Sequence, residues 1–376
     1  MRLVADSGLW RIGPAVASVP LVAVLEVDGA VLAWTVDEAP DANGAQITLT
    51  DATRADWLWR VLGEDGHHAL AAATGNPPDE LAGVDLSGVE VRPGALDGLR
   101  RLAVGHWLRR WWPASVRDGI SGLDPALLDA EIALLTADAE DFVADDSIDA
   151  DIGALLAPHA AALTLHLLVG DPRVVDLVRE VVRLAEDVGV DAPGWAELTD
   201  AVENAQPQHA PAHQDDYALA ARGDAGPAPA GLIARGVAPI AWSAVPSGVF
   251  DAAEDTVTWA VAADGDQVTA TLHAAVIGAG SPAGIPVALH CGNLTATGEL
   301  DASGRATIAL QDDADAPATA AAAWDQDWSA TTVTVGADVD ESNDARRRVR
   351  QFARQRLAQP GPDAYLAEIL AAESDY

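Results

Sequence analysis

The chain has 376 residues, 49% of them hydrophobic and 21% charged, which suits a folded protein of two or three domains and excludes a wholly disordered one. Its 58 acids against 22 bases give a formal net charge of −36, and every base is an arginine. Such a field repels phosphate backbones and anionic lipid, so nucleic-acid and membrane partners are not expected, and one cysteine, Cys291, excludes an intramolecular disulfide and any cysteine-based metal site.

Residues 19–36, "VPLVAVLEVDGAVLAWTV", read as two apolar strands turning at Asp28-Gly29, because glycine accepts the positive φ of a tight turn. "AQITLTD" adds a third strand, and "DATRADWLWRVLG" a short helix ended by Gly63. These make a small β-rich unit over 1–62. Residues 63–95 show no clear period and read as an irregular connection.

A helical domain is expected over 96–203. In its first helix, Leu96 to Trp112, the segment "GHWLRRWWPAS" places tryptophans on a broad apolar arc. Arg100, Arg101, Arg109 and Arg110 scatter around the circumference instead of forming a phosphate-tracking stripe. We therefore read the tryptophans as core, with arginine heads reaching nearby carboxylates. Asp124-Pro125 and Asp171-Pro172 repeat one helix start, an acidic cap followed by proline. The apolar run 152–170 carries Pro158, His159 and His166 and reads as a buried helix rather than a membrane span. The valine-rich helix after Asp171 shows little polar face, so burial on most sides is expected there too.

Residues 204–239 are rich in Pro, Ala, Gly and Gln and read as a linker. Within 240–336, short strands bounded by turn residues suggest a β-sandwich. At "GIPVALHCGNLTATGELDASGRATIAL" the chain resembles immunoglobulin-like sandwiches of the invasin and carboxypeptidase-regulatory kind, through Gly284, Val287, Leu289, Gly298, Asp301, Gly304, Ala306 and Leu310. The resemblance covers about a quarter of the chain and implies a fold, not an activity. A two-helix tail follows over 337–376, broken at Pro360-Gly361-Pro362. The whole reads as a multidomain α+β protein: a small N-terminal β unit, a helical middle domain, and a C-terminal β-sandwich with a two-helix tail.

Chemistry-bearing patterns are weak. Gly278, Gly280 and Gly284 miss the dinucleotide spacing, and Pro286 would break the helix that a pyrophosphate needs. His209 and His213 have ligand spacing but Pro211 between them. Asp145, Ser147 and Asp149 lack the rest of a calcium loop. The G-x-S-x-G elbow, the phosphate loop and the H-E-x-x-H motif do not occur. No catalytic, cofactor or metal residue is therefore assigned. The one ordered charge pattern lies in the tail: Arg346, Arg350 and Arg354 repeat at four, with Arg347 beside them. That stripe either pairs with the chain's own acids or offers a surface to an acidic partner protein. The sequence favours a non-catalytic adaptor or assembly protein of the cytoplasm, acting on a protein partner without a cofactor. The alternatives are an enzyme with its site between the helical and β-rich parts, or a small-ligand sensor using the Trp-rich helical block.

Overall fold

A computed structural model describes residues 1–38, 44–75, 83–143, 152–204, 231–278 and 280–374. The fold is α+β, and the chain divides into two compact units. One comprises Met1–Arg110, Leu123–Pro211 and Gln351–Tyr376, and the other Trp111–Gly122 and Ala212–Arg350.

The first unit opens with strands β1 (Arg2–Asp6), β2 (Leu9–Ile12), β3 (Val22–Val27), β4 (Ala30–Thr35) and β5 (Gln46–Leu49). With β6 (Gly83–Asp85) they form a six-stranded antiparallel sheet in the order β3-β4-β5-β2-β1-β6. The β3–β4 hairpin turns at Asp28-Gly29 as expected, with Val27 opposite Ala30. Gly29 has φ +74°, and a Cβ there would meet the Asp51 carbonyl oxygen at 2.3 Å, so no side chain fits. The β1–β2 hairpin, turning at Ser7-Gly8, was not expected from the sequence.

Helix α1 (Leu58–Thr74) corrects the expected stop at Gly63. Gly63 does leave helical geometry, at φ 78° and ψ 166°, but the chain resumes the helix beyond it. Residues 63–95 thus hold the rest of α1 and the edge strand β6, not merely an irregular connection.

Six further helices and one turn follow: α2 (Asp97–Trp111), α3 (Pro125–Val143), α4 (Ile152–Leu156), a 3-10 turn (Ala157–His159), α5 (Ala160–Val169), α6 (Pro172–Asp187) and α7 (Trp195–Asn204). Trp107 of α2 is buried core: its indole N–H donates to the Pro20 carbonyl (2.6 Å) and its ring meets Phe352 edge-on. Trp111 and Trp112 are half-buried. Arginine heads on α2 reach carboxylates, Arg101 to Glu131 at 2.9 Å and Arg109 to Asp129 at 2.8 Å. The glycine of "GHWLRRWWPAS" also has a role: a Cβ on Gly105 would meet the Tyr365 hydroxyl at 2.3 Å, and that hydroxyl donates to the Arg101 carbonyl.

The second unit contains β7 (Leu232–Ala238), β8 (Val257–Asp264), β9 (Gln267–Ala274), β10 (Pro286–Cys291), β11 (Leu294–Glu299), β12 (Arg305–Ala309), β13 (Gln311–Asp312), α8 (Ala320–Asp325) and β14 (Thr332–Val335). They form two four-stranded antiparallel sheets, β12-β9-β8-β7 and β13-β11-β10-β14. The arrangement is compatible with a β-sandwich, since one core holds Val257, Ala274 and Ala306 from the first sheet with Val287 and Val335 from the second. Strand β7 corrects the expected linker, which is not irregular to residue 239. Residues 205–230 of that linker, with His209 and His213, lie outside the described residues, as do Asp145, Ser147 and Asp149. Cys291 is buried on β10 while its neighbour His290 is exposed, as alternation along a strand requires.

The tail forms α9 (Asn343–Ala358) and α10 (Leu366–Ser374). Residues of α9 up to Arg350 belong to the second unit, and those from Gln351, with α10, to the first. Within the first unit, Arg356 pairs with the fully buried Glu368 and with Asp363.

Candidate functional site

The four tail arginines separate in the structure. Arg346 and Arg350 are buried, and both guanidinium groups bond to Glu254, which their presence holds below the usual carboxylate range against the upward push of burial. Arg346 also pairs with Glu341, and Arg350 donates to the Ala252 carbonyl and lies over the Trp242 ring. These two dock on the chain's own groups and form no surface. Arg347 is exposed and pairs with Asp344 one helical turn away, and Arg354 is exposed. The structure thus leaves no continuous four-arginine stripe facing outward.

A different surface emerges on α5. The apolar run Ile152–Val169 is long and apolar enough to cross a membrane, yet only 28% of it is buried in the fold. The expected buried helix is therefore corrected. It is broken at Pro158 into α4, the 3-10 turn and α5. On α5, Ala160 and Leu163 face the core. Ala161, Leu165, Leu168 and Val169 share the opposite side and are exposed, the last three by 65%, 79% and 60%. Their spacing of four, seven and eight residues from Ala161 places them on one stripe about 12 Å long.

The polar side chains of this stretch bond within the chain. Thr164 donates its hydroxyl to the Ala160 carbonyl at 2.8 Å. His166 Nε2 lies 2.8 Å from Asp124 Oδ2, and His159 Nε2 lies 2.9 Å from Asp129 Oδ2. Seven residues separate the histidines, five the aspartates on or beside α3, so the two pairs fasten α5 and its preceding turn to α3. Asp124 works twice, because its Oδ1 accepts the N–H groups of Ala126 and Leu127 and caps α3. The bond to Asp124 raises the His166 pKa above its ordinary value, outweighing burial. Burial pushes the Asp124 carboxyl up, but His166 and the cap bonds together hold it below its ordinary value.

Beyond the N-terminal end of α5, a depression of about 610 Å³ opens between the end of α6 and the start of α7. Val182, Ala185 and Trp195 line it with Glu186, Asp191 and Glu197, and no base lines it. It adjoins α5: the Trp195 indole N–H donates to the Ala157 carbonyl, and a Cβ on Gly194 would lie 3.3 Å from Ala160 Cβ. Across 152–204 there are nine acids and three arginines, and all the acids except Asp171 are exposed. Arg173 bonds Asp171 and Glu373, and Arg179 bonds Asp176. The exposed charge of the segment 152–204 is therefore net acidic.

The arrangement offers contact rather than chemistry. Among the described residues no cluster of His, Cys, Asp and Glu has the geometry of a metal site. The sequence did carry a signal for the stripe: "AAALTLHLLVG" is apolar on every side, so a single packing contact leaves one side uncovered. Comparisons with protein-family models, with curated proteins and with solved structures find no match.

Proposed function

We propose that the protein is a non-catalytic interaction or assembly protein, and that α5 carries its contact surface. The supporting observation is the exposure of Leu165, Leu168 and Val169 on a helix whose polar groups all bond within the chain. Contiguous exposed apolar side chains ringed by polar ones mark interaction sites in soluble proteins. We read the second unit as an immunoglobulin-like β-sandwich. Gly284 and Gly304 adopt positive φ, Val287, Leu289, Ala306 and Leu310 are buried, and Asp301 closes its turn by accepting the Ser303 and Arg305 N–H groups. The turn at Asp301–Gly304 passes the chain from one sheet to the other, as a sandwich requires.

Capture of native complexes with the wild-type protein and with the double variant Leu165→Asp/Leu168→Asp tests this reading. One stoichiometric companion is expected with the wild type and none with the variant, while the circular dichroism of both is the same. A companion retained at full stoichiometry by the folded variant would overturn it.

A further inference from the structure

We infer that β3 is the contact edge of a homodimer, in which two copies of this chain pair their β3 strands antiparallel, Val24 opposite its own counterpart and Val22 opposite Glu26. The inference goes beyond the α5 reading and stands on a different part of the fold.

The hydrogen-bond phase of the first sheet carries it. β3 ends the order β3-β4-β5-β2-β1-β6, so β4 covers only one of its sides. The Leu21 carbonyl accepts the Val36 N–H at 2.9 Å, and the β3–β4 register runs without a shift to Val27 opposite Ala30. Bonded and non-bonded pairs alternate along an antiparallel ladder. Ala23, Leu25 and Val27 therefore bond to β4, while Val22, Val24 and Glu26 point their N–H and C=O groups at the free edge. Among the described residues nothing bonds to those edge groups. The next positions of the same phase are closed. The Pro20 carbonyl accepts the Trp107 indole N–H at 2.6 Å, and proline has no N–H to offer. The Asp28 carbonyl accepts the Trp57 indole N–H at 2.8 Å. Two buried tryptophans thus bracket the open part of the edge.

The other sheet edges are guarded. β6 has three residues, β13 two and β14 four. β7 shifts register between Leu232 and Ala234 and carries Arg235 and Gly236. On β12, Asp301 takes both the N–H and the C=O of Arg305. β3 has six residues, no bulge, no proline and one charge, Glu26, and its outward Val24 is 47% exposed. Such an edge is a template for another strand.

A second copy of this chain supplies the strand that fits. A two-fold axis at Val24 sets every open group of β3 against an open group of the other β3. Pro20 then falls opposite Asp28, whose carbonyl is already taken, so the pairing ends where the open groups end. Val24 meets Val24, an apolar β-branched pair. Glu26 falls opposite Val22 and lies about 14 Å along the strands from the other Glu26, beyond the Debye length of about 8 Å at physiological salt. The outer faces of the two sheets stay on one side and the buried Ala23, Leu25 and Val27 on the other, so the sheets join into one. The edge itself holds little charge, but each chain carries −36. Long-range repulsion therefore opposes association, and salt strengthens the dimer by screening it.

Sedimentation equilibrium of the full chain at about 1–200 μM should show monomer and dimer in exchange, with more dimer as sodium chloride rises from about 50 to 500 mM. Val24→Pro removes an edge N–H without touching a bond to β4 and should weaken dimerisation about tenfold or more. Val24→Glu sets like charges directly opposite each other and should weaken it severalfold, with circular dichroism and urea midpoint like those of the wild type. Val24→Glu carries the test where Val24→Pro does not fold. Diamide oxidation reads the register. Val24→Cys should cross-link to itself, whereas Val22→Cys and Glu26→Cys should cross-link only when mixed, and the wild type, whose Cys291 is buried, should not cross-link. A monomer at every concentration and salt would overturn the inference. So would a dimer unmoved by Val24→Glu, a dimer loosened by salt, or cross-linking of Val22→Cys alone. A dimer dispersed by Leu165→Asp/Leu168→Asp but not by the Val24 variants assigns self-association to α5 and also overturns it. Hydrogen-exchange protection of Val22, Val24 and Glu26 that arises only with a companion protein gives the edge to another chain's strand, with the same consequence.

Discussion

Helices α5 and α6 are neighbours in the chain, separated by Gly170 and Asp171, and they meet water in opposite ways. On α6, Val174, Leu177, Val178, Val181, Val182 and Ala185 are buried, while Arg173, Asp176, Glu180, Arg183 and Glu186 are exposed on the other side. On α5 the exposed side is Ala161, Leu165, Leu168 and Val169, and its only two polar residues bond within the chain. A polar stripe tells a helix which side faces water; α6 has one and α5 has none. The difference teaches that apolar content alone does not report burial. The helix with more charged residues is the better anchored, and the one without any presents leucines to solvent.

The largest expected effect lies on the buried side of α6. Leu177→Ala removes a side chain that is 8% exposed and should cost about 2–5 kcal/mol, read as a lower midpoint in urea unfolding. The matched change on α5, Leu168→Ala, should leave the midpoint where it is. Equal losses at the two sites would erase the distinction between the helices.

A smaller effect concerns the polar flank of α5. The His166 pKa is raised by Asp124, so its contribution to stability is complete below its ordinary value of 6.5 and disappears as pH rises through the folded value. The Asp124 pKa is depressed, so its contribution is present above its ordinary value of 3.8 and disappears as pH falls through the folded value. The tether is therefore strongest in the window between those two ordinary values. Both groups are partly exposed, at 26% and 36%, which keeps the pair to about 1 kcal/mol or less. Melting temperatures of wild type and His166→Asn, followed from pH 5 to pH 9, should converge as pH rises. Curves separated by a constant gap would show that protonation of His166 does not hold α5.

Several features of the molecule were legible before its structure. The caps at Asp124 and Asp171 announced themselves because acid-then-proline satisfies free N–H groups at a position where proline loses nothing. The Asp28-Gly29 hairpin was equally plain, and so was the burial of Trp107. What stayed hidden was pairing. Periodicity identifies a face of a helix, but not what covers it, so α5 and α6 both read as buried. The arginines of α9 form a stripe by spacing alone. Only the position of Glu254, 92 residues before Arg346, shows that two of them are interior groups. The β1–β2 hairpin was missed because Ser7-Gly8 is a weaker turn signal than Asp-Gly, and Ser7 itself takes φ 51°.

The smallest expected effect on stability is the most telling one about function. Leu165→Ser/Leu168→Ser places two hydroxyls where the leucine side chains already stand in water, 65% and 79% exposed. Little apolar surface leaves burial in the folded state, so the transfer term that dominates core substitutions is nearly absent. Serine is a slightly poorer helix former than leucine, which sets a small opposing cost. The net change in unfolding free energy should stay within about 0.5 kcal/mol, as for other surface positions. The same variant should lose the companion that the wild-type protein retains in native complexes, because those leucines become buried only in the complex. A protein altered there in stability by more than about 1.5 kcal/mol would mean that the leucines are already covered in the isolated protein, and α5 would then obey the same rule as α6. Unchanged stability together with lost binding is the signature that separates a surface kept for a partner from a surface kept for the fold.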